Sequence, residues 1–252
     1  MKVLQLNVWL GKVEGRLQRF LENADYDVIC MQEVLMAKKR GRGNIWGMFM
    51  DLDKILAASK MPYVYFAPNW GNRVGHGQFR VGNLILSKVP FKEVHSEFVT
   101  GRFYQIDSYG RRGRIKHNNL NVIVAKLSNG VTIATHHGFW RPQPMGDEQS
   151  IKAFKRLAEI LRPYAEAGPF VFCGDLNLKY EAPALRALDY LHDLTEENKV
   201  KTTLSGLKVN TDIACDHIYV NDQIIYSDFK VEPEIVSDHF GLSVNVEKNS
   251  AA

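Results

Sequence analysis

The sequence predicts an α/β protein in which mixed β-sheets carry helices on their outer faces. Short runs rich in β-branched and aromatic residues recur along the whole chain: Val3–Val8, Val28–Met31, Val81–Leu86, Leu120–Leu127, Val131–Thr135, Phe170–Cys173, His217–Val220 and Leu242–Val246. Some of these runs follow one another directly, and others are separated by helical patterns. That combination points to mixed rather than purely parallel sheets.

The clearest helical pattern covers Ile151–Tyr164, where Ile151, Phe154, Leu157, Leu161 and Tyr164 mark one apolar face. Asp147 stands where an N-cap is needed, and Gly168-Pro169 closes the segment. Two further helices are predicted over Ile45–Ala58 and Ala182–Leu188. No internal repeat, low-complexity block or Pro/Ser-rich linker divides the chain, so one domain is expected over residues 1–248, with a disordered tail at 249–252.

Composition narrows the class. The chain has 252 residues, 45% of them hydrophobic and 24% charged, which suits a globular domain able to fold without disulfides. Cys30, Cys173 and Cys215 each lie in or beside an apolar run and form no C-x-x-C pair. They read as core thiols, not as a disulfide framework or a zinc knuckle. The opening MKVLQLNVW meets Asn7 too soon to build a signal-peptide apolar region. No apolar stretch approaches the roughly 20 residues of a membrane span. A cytoplasmic monomer is therefore expected. The net charge of +4 permits an anionic partner without requiring one.

Polar and ionisable residues cluster where the apolar runs end. The first run ends in Asn7-Val8-Trp9, the second in Gln32-Glu33, the fifth in His136-His137, and the sixth in Gly174-Asp175-Leu176-Asn177. Asp216 opens another run, and Ser237-Asp238-His239 precedes the last. Singly, each is ordinary, because an Asp after Gly is commonly a turn residue. Together they describe a site assembled at the rims of strands. Glu33, Asp175 and Asp238, if convergent, would repel one another unless a cation joined them. Oxygen donors without thiolates select a hard ion, Mg2+ or Mn2+. Such an ion would polarise a phosphoryl oxygen, while Asp175 takes a proton from water and Asn177 orients water or phosphate. Histidines would offset charge or shuttle protons. Phosphoryl transfer asks mainly for positioning and charge stabilisation, and this set supplies both.

LNVW, QEV, THHG, GDLN, CDHIYV and SDHFGL, in this order, resemble the endonuclease/exonuclease/phosphatase superfamily from Met1 to about Val246. The resemblance implies a four-layer α/β sandwich of two face-to-face mixed sheets flanked by helices. It also implies a metal-dependent hydrolase of phosphodiester or phosphomonoester bonds. By it, Asn7 and Glu33 match metal-site positions, Glu33 being the principal ligand, and Asp238 a metal or water position. His136 matches the first catalytic histidine and His239 the second. Asp175 and Asn177 match the pair that activates and orients the nucleophile, and Asp216 would fix the His239 tautomer. His137 is expected to be structural or at the site's edge. Val81–Ser87 matches a GNAILS-like strand, with Asn83 facing either the site or the core. Two departures bear on substrate. DNase-I-like members give the first histidine an acidic partner, yet no Asp or Glu lies between Asp53 and Glu93. The Tyr-x-Pro-Asn signature of abasic-site endonucleases is also missing.

Basic stretches at Lys38, Lys39, Arg40 and Arg42 and at Arg111, Arg112, Arg114 and Lys116, with Trp9, Trp46, Trp70 and Trp140, favour a nucleic-acid substrate. Inositol phosphates and phospholipid headgroups are the alternative. A calcineurin-type phosphatase would need Asp-x-His and Gly-Asn-His motifs that do not occur. A serine hydrolase would need G-x-S-x-G, and a non-catalytic module on the same scaffold would be expected to show a broken motif set.

Overall fold

The computed structural model describes residues 1–39, 49–74, 77–107, 119–208 and 212–249. The first half of the chain holds β1 (Lys2–Asn7), α1 (Glu14–Asn23), β2 (Val28–Lys39), α2 (Leu52–Ser59), β3 (Tyr63–Val74), β4 (Gly77–Ser87), β5 (Phe91–Thr100), β6 (Tyr104–Asp107) and β7 (Leu120–Leu127). The second half holds β8 (Thr132–His137), α3 (Glu148–Ala167), β9 (Phe170–Asp175), β10 (His192–Asp193), α4 (Leu194–Glu197), β11 (Asp216–Val220), β12 (Ile224–Val231) and β13 (Leu242–Lys248). The strands form a seven-stranded sheet in the order β12-β13-β1-β2-β4-β3-β6 and a six-stranded sheet in the order β10-β11-β9-β8-β7-β5. Both are mixed: β1–β2, β3–β6 and β8–β9 run parallel, and the remaining pairs antiparallel.

Strand alternation sorts the apolar side chains into three layers. Val3, Val28, Cys30, Ile85, Ile123, Ile133, Val171, Cys173, Ile218 and Val244 fill the space between the sheets. Leu4, Leu6, Ile29 and Met31 point the other way, against Leu17 and Leu21 of α1 and Ile55 of α2. Val122, Val124, Ala134, Phe170 and Phe172 face Phe154, Leu157 and Leu161 of α3. Two sheets face to face with helices outside are the expected four-layer sandwich.

Local signals explain where elements start. The Asp147 carboxylate accepts the Ser150 N–H at 2.9 Å and opens α3 at Glu148. The helix predicted from Ile45 begins only at Leu52, because Asp51 caps it and accepts the Lys54 N–H at 3.3 Å; residues 45–48 lie outside the described part. The Ala182–Leu188 prediction corresponds to a short 3-10 helix, Pro183–Leu188. The second strand does not end at Met31 but continues to Lys39. Asn249 is still held, its N–H donating to the Gln223 carbonyl at 2.8 Å, and residues 250–252 of the expected tail lie outside the description. So do Arg40, Arg42, Trp46 and the basic stretch at 111–116. All three cysteines are buried and free. Among the described residues no helix is long and apolar enough to cross a membrane.

Candidate active site

At one end of the sandwich the inward-facing positions change from apolar to polar. Along β1 the inward series is Val3, Gln5, Asn7; along β2, Val28, Cys30, Gln32; along β8, Ile133, Thr135, His137; along β9, Val171, Cys173, Asp175. Antiparallel β11 enters from that end, with Asp216 paired opposite Asp175. The strands therefore deliver the polar groups to one place by alternation alone.

Glu33 arrives by a different route. The β2–β4 register slips between Met31 and Val34, where β2 carries one extra residue, and Glu33 has φ +54°. This bulge lets Gln32 stay between the sheets while Glu33 turns into the cleft. Asn177, with φ +55°, follows β9 in a similarly tight turn, its N–H donating to Asp175 Oδ1 at 3.0 Å. Its amide donates to the Gly138 carbonyl at 3.1 Å, and the Gly138 N–H donates to the Asp175 carbonyl at 2.7 Å. A Cβ at residue 138 would collide with the Leu176 carbonyl, so this close approach requires glycine.

Asn7 sits between the carboxylates. Its amide donates to Asp175 Oδ2 at 2.8 Å and reaches Glu33 Oε1 at 3.5 Å, while its oxygen accepts the Trp9 N–H at 2.9 Å. Burial pushes the Asp175 carboxyl up. His239, His137 and the hydrogen bonds from Asn7 and Asn177 outweigh burial and hold it below the ordinary carboxylate range. Asp238 is displaced upward, by burial and by the Glu33 carboxylate nearby, although Lys208 lies 3.6 Å away.

His239 Nδ1 lies 2.8 Å from Asp216 Oδ2, and its Nε2 faces Asp175 Oδ2 at 3.7 Å and Asp238 Oδ1 at 3.9 Å. Burial works against the imidazolium, but Asp216 and Asp175 dominate and raise its pKa well above the usual value. Asp216 is itself fully held: Oδ2 accepts from Thr203 Oγ1 at 2.6 Å and Oδ1 from Gln5 Nε2 at 3.0 Å. Gln5 exchanges amide hydrogen bonds with Gln32 at 2.7 and 2.8 Å, and Gln32 also donates to Thr135 Oγ1 at 2.9 Å. Gln5 and Gln32 belong to the seven-stranded sheet, and Thr135 and Asp216 to the six-stranded one. The network thus fixes the two sheets to each other directly beneath the site.

The histidine pair reverses the sequence expectation about which member faces the site. His136 points with Ala134 toward α3, edge-on to Phe154, and its Nδ1 lies 2.9 Å from the Asn121 carbonyl. Burial there lowers its pKa to about 4. It does not line the cleft. His137 does, with Nε2 3.5 Å from Asp175 Oδ2. One residue of strand parity separates the two. Asn83 is buried and donates to Asn121, away from the cleft lining.

Glu33, His137, Asp175, Asn177, Asp238 and His239 line a common cavity of about 620 Å³. Among the described residues, Asp175, Cys215, Asp216 and His239 place one ligand-type atom each within 4.8 Å of the others. That group is a hydrogen-bonded network rather than a metal cage. His239 Nδ1 is committed to Asp216, and burial pushes the Cys215 thiol up to about 12. A hard divalent ion fits the neighbouring carboxylate oxygens better, because Glu33 and Asp238 bring like charges together in the cleft beside Asp175, whereas Asn7 turns its NH2 group toward the carboxylates and its oxygen to the Trp9 N–H. The cleft-lining Lys208 and the supporting Gln5, Gln32, Thr135 and Thr203 were not read as functional from sequence, and His137 was read only as structural or at the site's edge. A signal existed for Gln5: it is a lone amide inside the apolar run Val3–Leu6.

The fold and the polar end of its two sheets define a DNase-I-like sandwich. The chain belongs to the Endonuclease/Exonuclease/phosphatase family, whose model matches residues 4–239. Members of that family are typically phosphoesterase hydrolases. Similar solved structures include an endonuclease/exonuclease/phosphatase from Beutenbergia cavernae, 17% identical over 100% of this chain and 72% of that one, with a TM-score of 0.70. The human Nocturnin catalytic domain is 15% identical over 99% and 94% of the respective chains, with a TM-score of 0.71. A mannosyl-6-phosphatase from Bacteroides thetaiotaomicron is 14% identical over 98% and 99%, with a TM-score of 0.67. These likenesses concern the fold. No curated protein sequence matches the chain.

Proposed function

We propose that the chain is a cytoplasmic, divalent-metal-dependent phosphoesterase, with nucleic acid as its leading substrate class. The supporting observation is the convergence of Glu33, Asp175, Asn177, Asp238, His239 and His137 on one cleft. Glu33 and Asp238 are the residues that would hold Mg2+ or Mn2+, joined by Asn7 once its amide turns its oxygen to the cleft; when bound the ion supplies charge to polarise a phosphoryl oxygen and steady a leaving alkoxide. Asp175, ionised and facing the cleft, accepts the proton of the attacking water. Asn177 orients that water or a phosphoryl oxygen from the adjacent turn. His239, held by Asp216, presents Nε2–H to the negative charge that grows on the phosphoryl group. His137 takes the part expected of His136, offsetting charge beside the same Asp175 oxygen that His239 faces.

Two features support a polynucleotide: the basic residues at 38–42 and 111–116, and the indoles of Trp70 and Trp140 in the cleft lining. The test is a Mg2+-dependent hydrolysis panel of duplex DNA, single-stranded DNA, RNA, inositol phosphates and phospholipids. Turnover concentrated on polynucleotides is expected. Turnover confined to inositol phosphates or headgroups would overturn the substrate class, and turnover of none would overturn the enzyme reading.

A further inference from the structure

The polar residues form only part of the cleft surface. Leu10, Trp70, Pro142, Pro144, Trp140 and Ile213 line the same cavity. Of these, Trp140 is conspicuous because it is 63% exposed, and burying an indole is ordinarily favourable.

Its exposure does not come from a loose loop. Phe139, just before it, is buried in the α3 core. Arg141, just after it, donates from Nε to Asp147 Oδ2 at 2.7 Å and from Nη2 to Gln149 Oε1 at 2.7 Å, and its guanidinium lies 5.2 Å from the Phe139 ring centroid. The strap is fastened at its ends as well, where Gly138 is tied to Asp175 and Asn177, and the Lys179 N–H donates to the Pro144 carbonyl at 2.8 Å. Pro142 and Pro144 remove further backbone freedom. An apolar ring presented on a fixed strap beside a polar cleft floor has the form of a stacking platform.

Three polar side chains of the cavity lining are already committed. Arg141 is neutralised by Asp147, the Asn177 amide is given to Gly138, and Asn69 Oδ1 accepts the Asn121 N–H at 2.7 Å. A polyol laid on the indole face would find no hydrogen-bond partner on the ring itself, which is costly on desolvation. A flat ring brings no such demand.

We infer that the group esterified to the scissile phosphate carries a planar ring, a nucleobase or another aryl group, that stacks on Trp140. The inference rests on the phosphoesterase reading for the position of the phosphate. It selects ring-bearing phosphoesters over inositol phosphates and lipid headgroups. The cavity of about 620 Å³ is of a size to hold one such ring with its phosphate.

Phosphonates test it without turnover, because their P–C bond is not hydrolysed. Benzylphosphonate, an adenosine phosphonate, hexylphosphonate and a dihydroxypropylphosphonate are titrated calorimetrically into the full chain with Mg2+. The wild type, Trp140→Ala and Trp140→Phe are compared. The two ring-bearing probes should bind at least about tenfold tighter than the other two. Trp140→Ala should bring that ratio toward one, and Trp140→Phe should keep most of it. Tighter binding of the adenosine probe than the benzyl probe would assign the ring to a nucleotide, and equal binding would assign it to aryl groups generally. Hexyl or dihydroxypropyl probes binding as tightly as benzyl, or a preference surviving Trp140→Ala, would overturn the inference and leave the hydrolase reading standing. Failure of every phosphonate to bind would count against the hydrolase reading itself.

Discussion

His239 Nδ1 and Asp216 Oδ2 lie 2.8 Å apart, and nothing in that contact is left to chance, because Asp216 is gripped by Thr203 on one oxygen and Gln5 on the other. The carboxylate fixes the imidazole so that Nε2 points at Asp175. His239→Ala should therefore lower kcat/KM by about 100-fold or more, the scale of losing a charge stabiliser. Asp175→Asn should cost a similar factor, as expected for a general base. Asp216→Asn should cost less, because it removes orientation and leaves the reacting group. Steady-state kinetics on a model phosphodiester would check the order. Near-wild-type turnover by Asp175→Asn would refute its assignment.

The two adjacent histidines should behave as different kinds of residue. His137→Ala should reduce turnover by about tenfold or more with little change in stability. His136→Ala should lower stability by about 1–3 kcal/mol, since it empties a packed site against Phe154 and leaves the Asn121 carbonyl with Asn83 as its remaining side-chain donor. Kinetics and urea unfolding on both variants separate them; the opposite pattern would restore His136 to the cleft.

His136 also predicts a pH dependence of stability. Its folded pKa of about 4 lies below the ordinary 6.5, so the unfolded chain binds the proton more readily between those values. The stabilisation is present above pH 6.5 and is lost as pH falls toward 4, by about 3 kcal/mol in total. Chemical denaturation across that window should show the loss in the wild type and a smaller one in His136→Gln. Identical slopes would mean that His136 is not buried in neutral form.

A polynucleotide substrate should show itself through salt. Neutralising Lys39, Arg40, Arg111 and Arg112 together should flatten the dependence of nucleic-acid affinity on salt, because fewer counterions are released. Turnover of a small model phosphodiester should change little. Equal slopes for wild type and variant would remove the basic stretches from substrate binding.

Much of this site was legible in the sequence because its residues follow strands with strong apolar signatures. Asn7, Asp175 and Asn177 follow runs whose burial is nearly complete, and α3 announced itself by Asp147 and a long apolar face. Edge strands were missed. β5 buries only Val99 among ten residues, and β12 only Ile224 among eight, so neither shows an apolar run. Parity was also illegible in β8. Both of its faces are covered, Ile133 by the opposite sheet and Ala134 by α3, so alternation gave no cue to which histidine turns inward. Glu33 was found as a residue but misplaced as a strand end, since nothing local marks the bulge that aims it.

Hydrolysis is proposed to depend on a divalent ion held by Glu33 and its oxygen neighbours. The most direct test of that dependence is a calorimetric Mg2+ or Mn2+ titration of wild type and Glu33→Gln, paired with turnover of a model phosphodiester in EDTA and after metal is restored. EDTA should abolish turnover, Mg2+ or Mn2+ should restore it, and Glu33→Gln should weaken metal binding while the fold, followed by circular dichroism, is unchanged. Full turnover in EDTA, or unaltered metal affinity in Glu33→Gln, would contradict this assignment.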